Sequence, residues 1–469
     1  MSGGRIARSN HEHLRIWWIL SGMVLTLGCG VVERSVAGLT ATTPPAPPAT
    51  AAPTKLAPAY VPPECQGVAL PTIDPALAGA PTLTADGGLE LTLDEQWVIA
   101  RDVLRTVEQV YADPARLGAE WQAAAAALDE RIEAGLDTET FYAELQALIS
   151  VLGDEHSHFE SPVEVEASNA ALAGAAEQVG IGVLAMGLPE AGLITLLQVY
   201  DGSPAAMAGL QPHDNLLAID GAPVVQTGIP QPWRLRGPEC TMLVVSVATP
   251  GEPARPVAVV RHRYSVDQVI DVRMLPTANG ARIGYIFLPS FFDARIPEQM
   301  EIALDGFGPL DGLVIDNRMN GGGSSSVLEP VLSLFASGDV GEYLSQTASR
   351  PLHITPSDVQ GSQSIPLVVL IGEDTVSYGE VFAGVLQDLG RARLVGQTTA
   401  GNVETLHGYT FDDGSRLWIA EERFVPAVSL AGWEGIGVQP DVEVVAPWHT
   451  FKAENDPAVA AAIQLLTGD

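Results

Sequence analysis

Apolar residues recur along this chain with two different periods, which predicts a mixture of helices and strands. Between residues 92 and 152 they follow helical spacing in three segments, and the first opens with Thr92 and Glu95 at the spacing of a capping box. From 167 to 266 the pattern changes to short apolar runs separated by turn residues, which favours strands. From Ala281 onward strand-like and helix-like runs alternate, as in an α/β protein.

The strongest local pattern lies between Ile365 and Gly401. Its apolar beginning, IPLVVLI, predicts a buried strand, and an amphipathic helix that ends at Gly390 follows. Ser377 lies at the turn between strand and helix, where helix-start amides stabilise developing negative charge. This placement has two interpretations, which are a catalytic nucleophile and an ordinary helix N-cap.

The charge of the chain narrows its possible partners. The 469 residues carry a formal net charge of -33, and only Lys55 and Lys452 are lysines. Because like charges repel, nucleic acid and acidic membrane surfaces are poor partners. An apolar content of 46% with 17% charged residues indicates a packed globular protein.

The N-terminus has the features of an export signal. Arginines precede a short apolar run that ends at Cys29, so residues 1–29 are predicted to be an export segment with Cys29 as a candidate for lipid attachment. Residues 30–65, rich in Pro, Ala and Thr, are predicted to be an extended tether. We therefore expect an exported protein, in the periplasm or at the outer face of the membrane, that a lipid anchor tethers. If Cys29 is lipidated, Cys65 and Cys240 remain to form a disulfide, with two free buried thiols as the alternative.

Two loops carry further candidate chemistry. The helical region, residues 90–162, ends in GDEHSHF, which contains His156 and His158 and is predicted to be a loop; a polar loop without function is the alternative. After the strand that ends at Asp316, the sequence NRMNGGGS predicts a glycine turn with several exposed main-chain amides. The Gly-Lys-Ser/Thr sequence of a phosphate loop is absent from this turn, so we do not expect phosphate binding there.

The motifs GSPAAMAGL, DNLLAIDG and LRGP follow one another within residues 167–266. In this order they resemble a PDZ domain in the circularly permuted form of bacterial proteases: SPAAMAGL matches its short helix, DNLLAIDG the strand and turn after it, and LRGP the end of its later helix. The resemblance implies a mostly β domain in which Gly180, Ile181 and Gly182 receive a chain-terminal carboxylate while the peptide adds a strand to the sheet edge. A PDZ domain that no longer binds peptides is the alternative.

The histidine loop, the PDZ-like segment, the glycine turn, TVSYGE and a final WEGIGVQPD occur in one order along the chain. Together they resemble the C-terminal-processing (tail-specific) serine peptidases and their tricorn-core and retinoid-binding-protein-like relatives. The resemblance implies an α/β fold with a crotonase-like peptidase core at 267–450, an N-terminal helical domain and an inserted PDZ domain. Residues 451–469 would form a C-terminal tail or helix. The resemblance also implies that Ser377 is the nucleophile.

The predicted base departs from the Ser-Lys processing peptidases. Asn402 stands where their base lysine is expected, and neither lysine of the chain, one in the tether and one in the tail, is a plausible substitute. Resemblance to the tricorn-type branch implies His156 as the base and Glu434 as the supporting carboxylate. His158 is the rival base, and a plain surface carboxylate is the alternative for Glu434.

Two main-chain amides would hold the oxyanion, for which we select those of Tyr378 and Gly322. Arg318 and Asn320 would hold the glycine turn, and Glu380 is expected to support the helix start. No cofactor or metal is predicted, because no ligand cluster with metal spacing is present in the sequence.

These observations predict an exported serine endopeptidase that hydrolyses extended or C-terminal polypeptide segments captured by the PDZ domain. The alternatives are a catalytically inactive, peptidase-like protein that only binds peptides, and a serine hydrolase of small esters. No oligomeric state is predicted.

Overall fold

The computed structural model describes residues 59–66, 90–154, 156–172 and 177–468. The predicted export segment with Cys29, and most of the tether, lie outside these residues. None of the helices in the described ranges is long and apolar enough to cross a membrane.

Helices and strands alternate along most of the described chain. The α-helices are α1 (Leu93–Val110), α2 (Ala119–Ala134), α3 (Thr138–Ser150), α4 (Pro162–Leu172), α5 (Pro204–Met207), α6 (Ile296–Phe307), α7 (Ser325–Ser333), α8 (Tyr378–Asp388) and α9 (Pro457–Thr467). The strands are β1 (His158–Glu160), β2 (Glu177–Gly180), β3 (Val183–Leu188), β4 (Leu193–Val199), β5 (Asn215–Ile219), β6 (Ala222–Pro223), β7 (Val225–Gln226), β8 (Ile229–Pro230), β9 (Met242–Ala248), β10 (Arg255–Val260), β11 (His262–Ser265), β12 (Asp271–Leu275), β13 (Ile283–Phe287), β14 (Gly312–Asp316), β15 (Gly338–Leu344), β16 (Ser349–Ile354), β17 (Leu367–Ile371), β18 (Arg393–Gly396), β19 (Thr405–Thr410), β20 (Arg416–Pro426) and β21 (Val442–Glu443).

A six-stranded sheet in the order β12-β13-β14-β17-β18-β21 forms the centre of the core. All its strands are parallel except β12 at one edge. Strands β13, β14 and β17 are buried along their whole length, because α6, α7 and α8 cover one face and α9 with Trp448 covers the other. The predicted α/β class is confirmed. The turns that follow β14 and β17 lie side by side at the carboxyl edge of the sheet, where α/β proteins place their sites.

The N-terminal helices α1 to α3 pack against strands β19 and β20. Thr92 caps α1 while Glu95 accepts from the Thr92 amide, which confirms the predicted capping box. The long strand β20 pairs with β1 and β19 through its first half and with β15 through its last residues, so it joins the helical region to the α/β core. The prediction that both histidines lie on a loop is wrong for His158, because its backbone pairs with that of Trp418 in β20.

The segment between β3 and β10 forms a separate sheet in the order β10-β9-β5-β4-β3 with its own apolar core. The short helix predicted from SPAAMAGL is present as α5. The expectation that a second helix ends at LRGP is wrong, because a single 3-10 turn, Pro232–Leu235, stands in its place. Pro230 and Pro232 lack the amide hydrogens that an α-helix needs at these positions.

Two sets of contacts fasten this inserted sheet to the rest of the chain. A disulfide between Cys65 and Cys240 bonds the end of the tether to it. On the opposite side, His213 Nδ1 donates to the carbonyl oxygen of Trp448 at 2.8 Å, and Asn215 Nδ2 donates to that of His449 at 2.8 Å. The inserted sheet is therefore held both to the tether and to the segment that precedes α9.

Candidate active site

Ser377 occupies the turn between β17 and α8 in a backbone conformation that non-glycine residues rarely adopt. Its φ and ψ angles are 56° and -126°. Non-glycine residues hold such positive φ values only where surrounding contacts impose them, and such residues concentrate at functional sites. The contacts are present, since the Ser377 amide donates to the carbonyl oxygen of Asn402 at 2.9 Å and to Glu380 Oε2 at 3.2 Å.

The glycine turn after β14 lies directly against Ser377. A Cβ atom on Gly322 would stand 2.7 Å from Ser377 Cβ, 3.0 Å from its Oγ and 3.2 Å from the amide nitrogen of Tyr378. The Val376 amide donates to the carbonyl oxygen of Asn320 at 2.9 Å, which locks the two turns together. The Gly322 amide itself donates to Asn320 Oδ1 at 2.9 Å. Asn320 thus holds the turn as predicted, but it also engages the amide that we selected as an oxyanion donor.

Arg318 holds the beginning of the glycine turn through buried ion pairs. Its guanidinium group pairs with Asp316 at 2.6 Å and with Asp456, the N-cap of α9. Tyr285 donates its hydroxyl hydrogen to Asp316 at 2.7 Å. All four groups are buried, and the guanidinium holds the pKa of Asp316 below its usual range despite that burial.

The buried carboxylate of Glu380 accepts hydrogen bonds from the chain segments around Ser377. Its carboxylate accepts from Thr399 Oγ1 at 2.5 Å, from the Gly401 amide at 2.7 Å and from the Asn402 amide at 2.7 Å, in addition to the Ser377 amide. The prediction that it supports the helix start is confirmed. It also fixes residues 399–404, called the hub loop below, against the start of α8.

Glu434 lies on the other side of the hub loop. Its Oε2 atom accepts from the Val403 amide at 2.9 Å, and the neighbouring Gly435 amide donates to the carbonyl oxygen of Gly401 at 2.7 Å. Burial raises the pKa of Glu434, and the nearby carboxylate of Glu380 raises it further. The carboxylate is half-buried and bonded, unlike a plain surface group.

His156 follows Asp154 on the loop between α3 and β1. Asp154 Oδ1 accepts from the amides of His156 at 3.0 Å and Ser157 at 2.7 Å, and Ser157 Oγ accepts from the Ala420 amide at 3.0 Å, which docks the loop on β20. The His156 ring is half-exposed, yet its Nδ1 atom is buried without a hydrogen-bond partner. Burial lowers the pKa of His156 to about 4, so the ring is neutral at neutral pH. No hydrogen bond in the described part of the chain joins this ring to Ser377.

The rival histidine has a different environment. His158 Nδ1 donates to the carbonyl oxygen of His156 at 2.9 Å, and its ring stacks on Trp418 with centroids 6.4 Å apart. Burial also lowers the pKa of His158. Its ring is thus engaged in contacts that support the loop.

Carboxylates that sequence reasoning did not select connect the histidine loop to the hub loop. Asp154 interacts electrostatically with both Glu404 and Glu434, and Arg116 lies within reach of the same three groups. Glu404 directly precedes β19 and is buried. Burial, reinforced by Glu434, raises the pKa of Glu404 to about 8. Asp154 lies in the sequence GDEHS and Glu404 in AGNVE, but only the fold reveals that the two carboxyl groups interact.

The remaining predicted residues lie away from this cluster. Gly182 has a φ of 78°, and its carbonyl oxygen accepts from the Tyr200 amide at 3.1 Å, while that of Ile181 accepts from the Ala205 amide at 2.7 Å. Together with Gly180 they form the entry to β3 in the inserted sheet. In the described ranges, no cluster of metal-ligand side chains is present.

The fit between Gly322 and Ser377 can be tested without reference to activity. We expect Gly322→Ala to lower the free energy of unfolding by about 1–3 kcal/mol, because its Cβ would overlap Ser377 and because a φ of 90° strains alanine. Gly306→Ala is the matched control, since its Cβ would meet nothing within 4 Å and it lies in α6. Urea denaturation of both variants measures the difference, and equal midpoints would contradict the close packing.

Comparisons with known proteins agree with this geometry. Residues 282–444 match the model of peptidase family S41. A carboxyl-terminal-processing protease of Synechocystis sp. is 28% identical over 345 residues, which make up 70% of this chain and 78% of that protein. The chloroplastic carboxyl-terminal-processing peptidase 3 of Arabidopsis thaliana is 26% identical over 343 residues, 70% of this chain and 65% of that protein. The structure of a photosystem II D1 C-terminal processing protease shares the fold, with a TM-score of 0.52 at 21% identity over 76% of this chain and 94% of that one. Residues 282–444 of this chain are therefore similar to peptidase family S41, and the chain is a serine-type peptidase.

Proposed function

We propose that this peptidase cleaves polypeptides as an endopeptidase, with Ser377 as the nucleophile, His156 as the general base and Glu434 as the supporting carboxylate. One observation carries the proposal: Ser377 stands in a strained turn at the start of α8, directly against the glycine turn. A serine in this position presents its hydroxyl to a substrate beside helix-start amides.

Among the residues that the structure describes, no lysine lies near Ser377, and this favours a histidine base. The position expected for a base lysine is Asn402, and Lys452 pairs with Glu252 of the inserted sheet. A serine hydroxyl needs a group that removes its proton as it attacks. His156 is suited to this task because burial keeps its imidazole neutral at neutral pH, and a neutral imidazole accepts a proton.

The reaction follows from these roles. Ser377 Oγ attacks the peptide carbonyl carbon while His156 takes the hydroxyl proton, which it then donates to the leaving amine. The Tyr378 amide lies beside the place where the oxyanion forms. Gly322 can supply the second amide when Asn320 Oδ1 releases it, which is a small side-chain rotation within the turn. Water then hydrolyses the acyl-enzyme by the same route in reverse.

Labelling with a fluorophosphonate tests the nucleophile and the base together. We expect Ser377→Ala to abolish labelling, since no serine oxygen remains at the turn to react. His156→Ala should lower the labelling rate by about 10²-fold or more, as expected for loss of a general base. Mass spectrometry of the labelled peptide and the rate of label incorporation measure both effects.

His158→Ala is the matched control for the base, and it should retain most of the rate. Labelling that persists in Ser377→Ala would remove the assigned nucleophile. A wild type that takes no label would favour the peptide-binding alternative, and turnover of short-chain esters without peptides would favour an esterase.

We further propose that the inserted sheet is a PDZ domain that captures the substrate at strand β3. This strand pairs only with β4 within its sheet, and Gly180, Ile181 and Gly182 form its entry. Residues 230–236 lie beside this region: a Cβ on Gly187 would lie 2.3 Å from Pro230 Cβ over one face of β3, and Gly180 at the end of β2 forms a bridge with Arg236.

Capture of a C-terminal carboxylate predicts a difference between a substrate peptide and its C-terminal amide. The amide should raise KM by about tenfold and leave kcat unchanged, because the lost contact is made equally in the ground state and the transition state. Steady-state kinetics on the matched pair measure the ratio. Identical KM values would remove carboxylate recognition from the proposal.

We also propose that the protein acts outside the cytoplasm, tethered through Cys29. The Cys65–Cys240 disulfide supports this location, because such bonds persist in oxidising compartments. Cys29→Ser should move the protein from the membrane fraction to the soluble fraction, as fractionation and immunoblotting would detect. Unchanged membrane association of the variant would contradict a lipid anchor at this residue.

A further inference from the structure

Four carboxylates lie in or beside the hub loop and the histidine loop, and three of them accept hydrogen bonds from main-chain amides. Glu380 accepts from three amides and a hydroxyl. Asp154 accepts from two amides through Oδ1 and from the Ser157 hydroxyl through Oδ2. Glu434 accepts from the Val403 amide through Oε2. Their hydrogen bonds hold main-chain segments in place.

Glu404 is the exception among these acids. It is only 4% exposed, and its Oε2 atom is buried without a hydrogen-bond partner. Buried polar atoms without a partner are rare in proteins, and each one calls for an explanation. The groups that face its carboxyl are Glu434, Asp154, Arg116, Asp113 and Tyr111.

His156 also has a buried polar atom that lacks a hydrogen-bond partner. Its Nδ1 atom is buried without a partner, while its Asp154 neighbour is fully engaged by main-chain amides and Ser157. A histidine that takes the Ser377 proton through Nε2 must carry its own hydrogen on Nδ1. That hydrogen needs an acceptor inside the protein, as orienting acceptors in serine peptidases demonstrate.

We propose that Glu404 Oε2 accepts the Nδ1 hydrogen of His156 in the reactive state and thereby directs Nε2 toward Ser377. Glu404 is then a positioning residue, and the inference rests on the proposed role of His156. The contact satisfies two buried polar atoms at once, and both residues have Asp154 as an electrostatic neighbour.

Asn402 Oδ1 is the competing acceptor, because it too is buried without a partner. Two differences favour Glu404. The main chain of Asn402 bonds both Ser377 and Glu380, which fixes that residue on the α8 side of the hub loop. Glu404 instead shares electrostatic contacts with Asp154 of the histidine loop.

The charge of Glu404 adds a pH signature. Since burial raises the pKa of Glu404 to about 8, the group is largely protonated at pH 7, and only its minor ionised fraction is the carboxylate acceptor that the amide of Gln cannot replace. As the pH rises through 8 it ionises, becomes a stronger acceptor and stabilises the imidazolium that forms during attack. The value of kcat/KM should therefore rise between about pH 7 and 9.

Three variants of the full chain test the contact. Glu404→Gln should lower kcat/KM by on the order of 10²- to 10⁴-fold, because an amide hydrogen facing Nδ1 favours the wrong tautomer. It should also remove the rise in activity near pH 8. Glu421→Gln is the matched control, since Glu421 is a buried carboxylate that bonds Tyr409, and it should change neither result. Asn402→Ala tests the competing acceptor.

Nitrogen-15 NMR of histidine-labelled protein gives a readout that does not depend on activity. In the wild type with a fluorophosphonate on Ser377, a slowly exchanging Nδ1 hydrogen on His156 is expected, and in Glu404→Gln it should be lost. Loss of this signal in Asn402→Ala alone, or an unchanged signal and pH profile in Glu404→Gln, would overturn the inference.

The two proposals fail in different ways. If Ser377→Ala keeps full turnover, the proposed nucleophile is wrong whatever the histidine signals report. If Ser377 and His156 are both required while Glu404→Gln behaves as the wild type, the peptidase mechanism stands and the positioning role of Glu404 does not. A Glu404→Gln chain that fails to fold leaves the pH titration of Nδ1 in the wild type as the deciding measurement: an ionisation near pH 8 supports the contact, and its absence overturns it.

Discussion

The buried carboxylate of Glu380 is the interaction on which the geometry around Ser377 depends. It accepts hydrogen bonds from the amides of Ser377, Gly401 and Asn402 and from the Thr399 hydroxyl. Burial raises the pKa of Glu380 above its usual value, while the four donors favour the ionised form. Without this acceptor the amides of Gly401 and Asn402 would lose their partner in the interior, and each such loss is costly. The strained turn of Ser377 is thus over-determined by its surroundings.

Other contacts extend this arrangement outward from the hub loop. Thr399 Oγ1 also accepts from the Val438 amide at 2.7 Å, and the Val403 amide donates to Glu434, so the WEGIGV turn is bonded to the same loop. A Cβ on Gly437 would lie 2.3 Å from the Thr399 carbonyl oxygen, which explains a glycine at that position. A motif near the C-terminus is therefore connected to Ser377, the proposed nucleophile, through two layers of hydrogen bonds.

Arg318 provides the second rigid element of the site. Removing one partner of a buried ion pair leaves an uncompensated charge, so Asp316, Arg318 and Asp456 are mutually dependent. The guanidinium also lies over the Trp448 ring, 5.3 Å from its centroid, and Trp448 accepts the His213 hydrogen bond from the inserted sheet. The glycine turn, the C-terminal helix and the inserted sheet are connected through this one side chain.

Sequence reasoning succeeded where local patterns decide the structure. The apolar run before Ser377 and the glycine at 390 define β17 and α8 to within two residues, because burial period and a left-handed cap are local signals. It failed at His158, whose strand exists only through pairing with β20, and at Pro232–Leu235, where prolines prevent the expected helix.

The site shows the same division between local and long-range information. Ser377, His156 and Glu434 lie in motifs and were selected from them. The role proposed for Glu404 depends on buried atoms that lack partners. These atoms belong to His156 and Glu404, which are far apart in the sequence, so sequence patterns cannot reveal them. Asn402 was selected only as a missing lysine, although its main chain bonds both Ser377 and Glu380.

The charge balance around Asn402 gives a physical reason for a neutral base. Glu380, Glu404, Glu434 and Asp154 lie near one another, and burial raises the pKa of the three glutamates, which reduces the negative charge that the site must hold. A buried lysine would be drawn into ion pairs with these acids and would remain protonated, and a protonated amine cannot accept the serine hydrogen. An imidazole whose pKa is lowered by burial stays neutral beside the same acids, and after it takes the proton the surrounding carboxylates stabilise the resulting cation. The acidic surroundings and the proposed histidine base are therefore two parts of one electrostatic arrangement.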